Sequence, residues 1–354
     1  MTEHTAQAES YWEQISGKMP HFAALDGWRG ISILLVLAGH MLPLGPSRFE
    51  MNAAIAASGM AIFFTLSGFL ITLTLLYDPN VPKFLIRRFC RILPLAWLYT
   101  LIVFPLIKAP LATYCAQLFF YANLPPFWLG HFNGHLWSLC VEMQFYLAVA
   151  VNCLLLSRRG LLGLPVLCLA ITGFRIFHHE PMSIVTWFRV DEILAGATLA
   201  LLMHLPGSER LRRVLLPLNP YFMMVLLVLA SHDRLPWLEY ARPYIAASLV
   251  GCTLVRSHGW FSSLLSSEPL RYMANISYAI YVIHPITMTG WLGSGGTLVR
   301  YLKRPLCFAL SFLGAHLSTQ YYESFWIKLG KRWSKRFDPP RVPVQNKVPV
   351  SLPD

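Results

Sequence analysis

The most constraining feature of this sequence is a series of long, uninterrupted apolar runs. They include 31–44, 53–77, 136–156 and 214–230, and several approach the ~20 residues that a helix needs to cross a bilayer. A large soluble core holds one such helix, but not a series of them. Only 13% of the residues are charged, whereas a soluble domain carries about a quarter. The sequence therefore predicts an integral membrane protein with many spans.

The net charge of +12 is distributed in short basic clusters between the apolar runs. This pattern is typical of cytoplasmic anchoring and argues against nucleic-acid binding. The seven cysteines form no CxxC pair and no metal-ligand spacing. We therefore expect no metal site and no permanently bound cofactor.

Ten membrane helices account for the hydrophobic pattern, which predicts one all-α polytopic bundle without an internal repeat. The predicted ranges are 28–45, 52–77, 92–111, 136–156, 161–177, 184–204, 214–230, 241–256, 273–292 and 305–325. Basic clusters follow each even-numbered helix, which places both termini in the cytoplasm.

The same pattern divides the chain into three parts. We expect a polar cytoplasmic segment at 1–21, a transmembrane domain at 22–326 and a basic, disordered cytoplasmic tail at 327–354.

Placing an ionisable residue inside a membrane helix costs free energy, so each such residue is a candidate functional residue. Arg29 and His40 are eleven residues apart, very nearly three helical turns, so both lie on one face and about 16 Å apart along the axis. An anion held by Arg29 would extend a linear arm along that face to His40. The alternatives are that Arg29 extends to the interface and that His40 bonds a neighbouring helix.

The fourth predicted helix places Glu142 at a depth similar to that of His40. A carboxylate beside an imidazole orients it and stabilises its charged form, so Glu142 is a candidate partner of His40. The alternative is a carboxylate hydrogen-bonded for packing. His135 and Trp137, at the start of this helix, are candidate substrate-binding residues.

The ninth predicted helix carries Tyr281 and His284, followed by Pro285, which would kink it. His284 reaches the outer half of the membrane, where a substrate-binding or second catalytic imidazole and a structural one are equally consistent with the sequence. The sixth helix carries Arg189, Asp191 and Glu192, for which a buried salt bridge that shapes the cavity is the expected role.

The basic segment 83–91 is predicted to be a cytoplasmic loop. Arg88 and Arg91 would be neighbours on one face if it is helical, and such a fork suits phosphate groups. Plain cytoplasmic anchoring is the alternative.

Seven segments, in this order, resemble the acyltransferase 3 family of bacterial membrane proteins. They are LDGWRGI at 25–31 with His40, FFTLSGFLI at 63–71, Arg88-x-x-Arg91, WSLCVEMQFY at 137–146, FRVDE at 188–192, ISYAIYVIH at 276–284, and Ser318 with Glu323. One departure is Met143, where the family commonly has a second glutamate. Any role of that second carboxylate is therefore absent here.

The resemblance implies ten core helices in the bacterial inner membrane and acyl transfer from cytoplasmic acyl-CoA to a hydroxyl, usually of an envelope or exported glycan. It implies that Arg29 and His40 are essential and that Arg88 and Arg91, with Arg29, serve acyl-CoA binding. Acetyl-CoA is the expected co-substrate. The sequence carries no fused esterase-like domain, so we expect the chain to act without one.

Several alternatives stay open at this stage. His40 is either a general base or a covalent acyl carrier. The acceptor is a glycan or a small metabolite such as a macrolide. A transporter or flippase also needs intramembrane Arg, His and Glu, although no inverted repeat supports one. Self-association is compatible with the sequence.

Overall fold

The computed structural model describes residues 19–205, 207–256 and 258–338, and all regular elements in these ranges are helical. The all-α prediction is therefore confirmed for this part of the chain. The α-helices, in chain order, begin with α1 (Ala23–Met41), α2 (Met51–Tyr77), α3 (Val81–Leu106), α4 (Leu111–Leu118), α5 (Trp137–Leu156), α6 (Leu164–Phe177), α7 (Thr186–Arg189), α8 (Asp191–His204), α9 (Ser208–Leu215), α10 (Pro220–Leu229), α11 (Pro236–Glu239) and α12 (Arg242–Leu254). They continue with α13 (Trp260–Leu265), α14 (Glu268–Ile283), α15 (Gly290–Gly293), α16 (Thr297–Leu302), α17 (Arg304–Leu317), a π-helical turn at Ser318–Glu323 and α18 (Ser324–Ser334).

Helix α2 forms the centre of the bundle. It is apolar around its whole circumference, which is typical of a helix with no solvent face. In its most apolar stretch 83% of the residues are buried by protein, against 39% in α3 and 33% in the run Gly134–Phe177. Helices α1 and α8 pack along α2, and α14 packs along α1. These contacts bring the polar residues of α1, α2, α5 and α14 around one interior space.

The crossing of α2 and α8 depends on two glycines that face the partner backbone. A Cβ atom on Gly68 would lie 1.8 Å from the carbonyl oxygen of Ile193, and one on Gly196 would lie 1.9 Å from that of Thr65. Only hydrogen side chains permit this approach, as is common where membrane helices pack closely. The crossing fixes the position of Ser67, the residue before Gly68.

The surface of the bundle is apolar where a bilayer would cover it. Leu106, Leu111, Leu155 and Phe177 are each more than 75% exposed, as expected for side chains that face lipid. By length and composition, three helical runs within the described ranges are able to cross a membrane: Met51–Tyr77, Val81–Leu106 and Gly134–Phe177. The bent pair α9 and α10, at 83° to each other, would make a fourth if it is one span. These features support a multi-pass membrane protein.

The prediction that 83–91 is a loop is wrong, because α3 begins at Val81. The side chain of Asn80 accepts a hydrogen bond from the backbone nitrogen of Lys83, and Pro82 occupies the first turn. Both features initiate helices. The basic cluster therefore forms the first turns of a helix whose predicted range began at 92.

Three further predicted helices are interrupted, and the predicted tail is partly ordered. The range 214–230 is broken between α9, which ends at Leu215, and α10, which begins at Pro220. The range 184–204 contains a break at Val190 between α7 and α8, and 273–292 ends as α-helix at Ile283, just before Pro285. The tail predicted at 327–354 begins within α18, which packs against α3. Residues 1–18 and 339–354, which hold most of the predicted terminal segments, lie outside the described residues.

Candidate active site

A cavity lies between α1, α2, α3, α5 and α14. Its wall includes Arg29 of α1, Arg88 and Arg91 of α3, Glu142 of α5 and Tyr281 of α14. We call it the central cavity. Five predicted site residues, from four separate parts of the sequence, thus share one chamber.

The three arginines of the central cavity have no ion-pair partner within 4.0 Å among the described residues. Arg29, Arg88 and Arg91 line the same wall, and they do not occur in the salt bridges of this part of the chain. Guanidinium groups bind phosphate and carboxylate through paired hydrogen bonds. With Glu142 as the carboxylate on this wall, the chamber keeps excess positive charge and is suited to an anion.

Glu142 is held by two hydroxyl groups. Ser67 of α2 and Tyr146, one turn further along α5, each donate a 2.5 Å hydrogen bond to its Oε1 atom. Glu142 and Tyr146 are almost fully buried. The carboxylate is therefore fixed beside the arginines, and the described residues show no hydrogen bond between it and His40. A catalytic role for Glu142 stays a prediction.

His40 lies one helical turn beyond Val36, the last residue of α1 on the cavity wall. The wall positions Arg29, Ser32 and Val36 share one face of α1 with His40, as the spacing predicted. The partner of His40 is His284: the Nδ1 atom of His40 is 2.9 Å from the Nε2 atom of His284. The two rings stack with their centres 5.2 Å apart.

The hydrogen bonds around His284 define which nitrogen of each ring carries the proton. The Nδ1 atom of His284 lies 3.1 Å from the carbonyl oxygen of Ile280 and 2.8 Å from that of Tyr281. Carbonyl oxygens only accept, so Nδ1 of a neutral His284 is the donor and its Nε2 is an acceptor. His40 must then donate from Nδ1, which leaves the lone pair of its Nε2 free. That nitrogen is the basic and nucleophilic atom of the pair.

His135 and Tyr281 complete the polar cluster around the two histidines. The ring centre of His135 is 5.7 Å from that of His284, and its Nε2 donates to the carbonyl oxygen of Val282 at 3.3 Å. The hydroxyl of Tyr281 donates to the carbonyl oxygen of His135 and accepts from Ser138 at 2.6 Å. The substrate-binding prediction for His135, Tyr281 and His284 remains open, because these hydrogen bonds also brace the end of α14.

Trp137, also predicted to bind substrate, does not line the central cavity. Its ring packs against Phe64, with the centres 5.6 Å apart, and the guanidinium of Arg189 lies 5.3 Å from its centre. The structure thus groups it with the buried ion pairs rather than with the histidines.

The predicted salt bridge on the sixth helix is larger than the sequence indicated. Glu192 pairs with Arg189 at 3.4 Å and with Arg242 at 2.6 Å, and Asp191 pairs with Arg175. Arg175 and Arg242 were not identified from the sequence, because they lie on α6 and α12, far along the chain from their partners. All five side chains are essentially buried. They connect four helices, α6, α7, α8 and α12.

A second, more open space adjoins the central cavity. It shares Arg88 and Arg91 with that cavity and adds Arg87, Lys331 and Lys335. We call this second space the basic mouth. From the sequence alone, Lys331 and Lys335 were predicted only to belong to a basic cytoplasmic tail.

Comparison with known proteins identifies the family to which this chain belongs. A family model described as an acyltransferase domain, acyltransferase 3, matches residues 22–319. The chain belongs to the acyltransferase 3 family, which confirms the resemblance drawn from the seven segments.

Three curated relatives are similar to this chain. It is 28% identical over 316 residues to a putative peptidoglycan O-acetyltransferase of Bacillus subtilis, covering 75% of this chain and 48% of that protein. It is 25% identical over 362 residues to a peptidoglycan O-acetyltransferase of Listeria monocytogenes, covering 85% and 55%. It is 24% identical over 319 residues to a putative O-acetyltransferase of Staphylococcus aureus, covering 75% and 50%. The chain spans about half the length of these relatives. No solved structure matches it.

Proposed function

We propose that this protein is a membrane O-acetyltransferase that moves an acetyl group from cytoplasmic acetyl-CoA to a hydroxyl of a cell-envelope glycan. The observation that carries the proposal is the placement of anion-binding and basic groups at the two ends of one face of α1. Arg29, beside Arg88 and Arg91 of α3, has no ion-pair partner among the described residues, and His40, three turns further along α1, bonds His284. Arg29 and His40 are separated by about 16 Å of helix. A donor with an anionic head and a long neutral arm ending in a thioester fits this separation.

The arginines of the central cavity would hold the phosphates of the donor. Charge-assisted hydrogen bonds to phosphate are about twice as strong as neutral ones, and they strengthen where water is excluded. The apolar part of the wall, which includes Ile33, Val36 and Met60, suits the neutral arm. The thioester would then reach the His40 end of the chamber.

His40 would act through its Nε2 atom. As general base, it takes the proton of the acceptor hydroxyl while the hydroxyl oxygen attacks the thioester carbonyl carbon. The carbon–sulfur bond then breaks, and the thiolate of CoA takes the proton from the His40 imidazolium. As acyl carrier, the Nε2 atom attacks the thioester carbonyl carbon, the carbon–sulfur bond breaks and CoA leaves as thiolate. The acceptor hydroxyl then attacks the acetyl carbon, the carbon–nitrogen bond to His40 breaks, and the hydroxyl proton balances the charge of the CoA thiolate. Both routes use the tautomer that His284 selects.

The membrane arrangement belongs to the same proposal. Ten spans with both termini in the cytoplasm would place the basic mouth, at the start of α3, on the side where acetyl-CoA is made. His40, at the far end of α1, would lie toward the outer side of the bacterial inner membrane. The relatives named as peptidoglycan O-acetyltransferases support a glycan acceptor at that side.

A transfer assay tests the proposal directly. Purified protein would be incubated with acetyl-labelled acetyl-CoA and a panel of peptidoglycan fragments, other envelope glycans and a macrolide. The control is His40→Ala, with its folding checked by size exclusion. We expect label on a glycan with the wild-type protein only. Label on the macrolide alone would replace the acceptor class, and transfer by His40→Ala at an undiminished rate would refute the role of His40. Failure of the wild-type protein to bind acetyl-CoA would refute the donor and favour a transporter.

A further inference from the structure

The basic mouth adds positive charge to that of the arginines that it shares with the central cavity. Arg87 lies on the first turns of α3, and Lys331 and Lys335 lie on and just after α18. None of these three has an ion-pair partner within 4.0 Å among the described residues. The Nε atom of Arg87 donates a 2.9 Å hydrogen bond to the hydroxyl of Ser334, which ties α3 to α18. The cations are thus presented by two helices in contact.

The carboxylates near this wall neutralise only part of its positive charge. Asp78 lines the mouth, but Lys83 holds it at 2.8 Å and holds Asp338 at 2.5 Å. The hydrogen bond from Lys83 lowers the pKa of Asp338, so this carboxylate stays ionised and bound to Lys83 at neutral pH. Lys83 carries one positive charge against two carboxylates, so one negative charge remains, and it acts on Arg87 and Lys335. Arg87, Lys331 and Lys335 outnumber that charge, so the mouth keeps excess positive charge for a ligand.

The family match ends at residue 319, so Lys331 and Lys335 lie beyond it. The packing of α18 against α3 places them beside Arg88 and Arg91 on the wall of the basic mouth. A ligand whose anionic groups contact Arg88 and Arg91 from the central cavity would meet these lysines next, on its way out.

We propose that the basic mouth is a phosphomonoester site, which binds the 3′-phosphate on the ribose of the donor nucleotide. This inference rests on the proposed function. Coenzyme A carries a pyrophosphate next to its neutral arm and a separate phosphomonoester on the ribose. Arg29, Arg88 and Arg91 hold the first group, and Arg87, Lys331 and Lys335 hold the second. A phosphomonoester carries about −1.5 to −2 charges near neutral pH, which is why it requires several cations.

The site predicts discrimination between CoA and 3′-dephospho-CoA. Each would be used to displace labelled acetyl-CoA from the purified wild-type protein, from Lys331→Gln/Lys335→Gln, and from the control Arg332→Gln/Arg336→Gln. The control removes the same charge from exposed neighbours that do not line the mouth. We expect the wild-type protein and the control to bind CoA roughly tenfold or more tightly than dephospho-CoA. The lysine variant should lose this preference through weaker CoA binding, with dephospho-CoA binding unchanged.

Other outcomes would overturn the site in distinguishable ways. Equal binding of both competitors by the wild-type protein, or an unchanged preference in the lysine variant, would refute binding of the 3′-phosphate at the basic mouth. Either result would leave the assignment of acetyl-CoA as donor intact. An equal loss in the control would reduce the effect to overall charge. An anionic lipid headgroup has similar chemistry. If the lysine variant lost binding to phosphatidylglycerol micelles but kept its nucleotide preference, the site would be a lipid site. Absence of acetyl-CoA binding in the wild-type protein would refute the proposed function itself.

Discussion

The His40–His284 pair makes a quantitative prediction for the substitution His284→Leu. Leucine fills similar space but accepts no hydrogen bond, so the Nδ1–H of His40 loses its partner. The His40 side chain is exposed, but His284 is fully buried, so the leucine that replaces it covers the Nδ1 edge of the His40 ring and keeps water from that position. An unsatisfied buried donor costs about 1–3 kcal/mol, and His40 avoids this cost by moving its proton to Nε2.

When the proton of His40 moves from Nδ1 to Nε2, the Nε2 atom no longer has a free lone pair for catalysis. At about 1.4 kcal/mol per factor of ten, the population of the productive tautomer falls roughly 5- to 140-fold. We expect kcat to fall by this factor with little change in the KM for acetyl-CoA, because the arginines that hold the donor are untouched. His40→Ala, which removes the base itself, should cost roughly 10²–10⁴-fold or more.

The conservative variant His284→Gln separates positioning from packing. Its side-chain carbonyl is able to accept from His40 Nδ1, while its amide donates to the carbonyls of Ile280 and Tyr281. The measurement is steady-state transfer from labelled acetyl-CoA by the three variants, with thermal unfolding as a check of folding. Glutamine should restore most of the rate that leucine loses. Equal damage in both, or an unaffected leucine variant, would refute the tautomer argument.

Four further outcomes are expected from the structure. Gly68→Ala should force α2 and α8 apart and destabilise the protein by about 1–3 kcal/mol or more, measured by thermal unfolding in detergent. Arg242→Met should leave Glu192 with one partner and cost about 3–5 kcal/mol in the same assay. Arg91→Gln should weaken acetyl-CoA binding roughly 10- to 100-fold in a competition assay, since a charged hydrogen bond is lost. If His40 is the acyl carrier, rapid mixing with acetyl-CoA alone should release one equivalent of CoA per protein, whereas a general base gives no such burst.

Matched controls make these outcomes specific. Gly173→Ala adds the same methyl group where no neighbour lies within 4 Å, so stability should be retained. Arg213→Gln removes an exposed charge away from both cavities, and donor binding should not change. Adding Glu192→Gln to Arg242→Met should recover part of the lost stability. A control that behaves like its test variant would contradict the corresponding argument.

The sequence predicted the parts of the site that depend on helical periodicity. The eleven-residue spacing of Arg29 and His40 predicts one face of α1, and the cavity wall follows that face. Arg88 and Arg91, three residues apart, likewise share a wall once 83–91 is helical. Their loop prediction was wrong because basic residues were taken to mark the end of the membrane span, whereas Asn80 starts the helix earlier.

The parts that depend on how helices are arranged around the bundle were not predictable. His40 and His284 are separated by 244 residues, and their contact exists only because α14 packs along α1. Glu142 was predicted as the partner because depth in the membrane is readable from position along a helix. Lateral position is not, and Glu142 bonds Ser67 and Tyr146 instead. The same limit concealed Arg175 and Arg242, whose acidic partners lie on another helix.

The unpaired guanidinium groups of the central cavity have a consequence for the empty protein. Three like charges around one carboxylate repel each other between the packed helices, where the effective dielectric constant is lower than in bulk water. An anionic donor relieves that repulsion, so its binding energy also becomes folding energy for the helices that carry the arginines. The loaded bundle is then the relaxed state and the empty one the strained state. When CoA leaves after acetyl transfer, the repulsion between the arginines returns. This favours rapid binding of the next donor molecule.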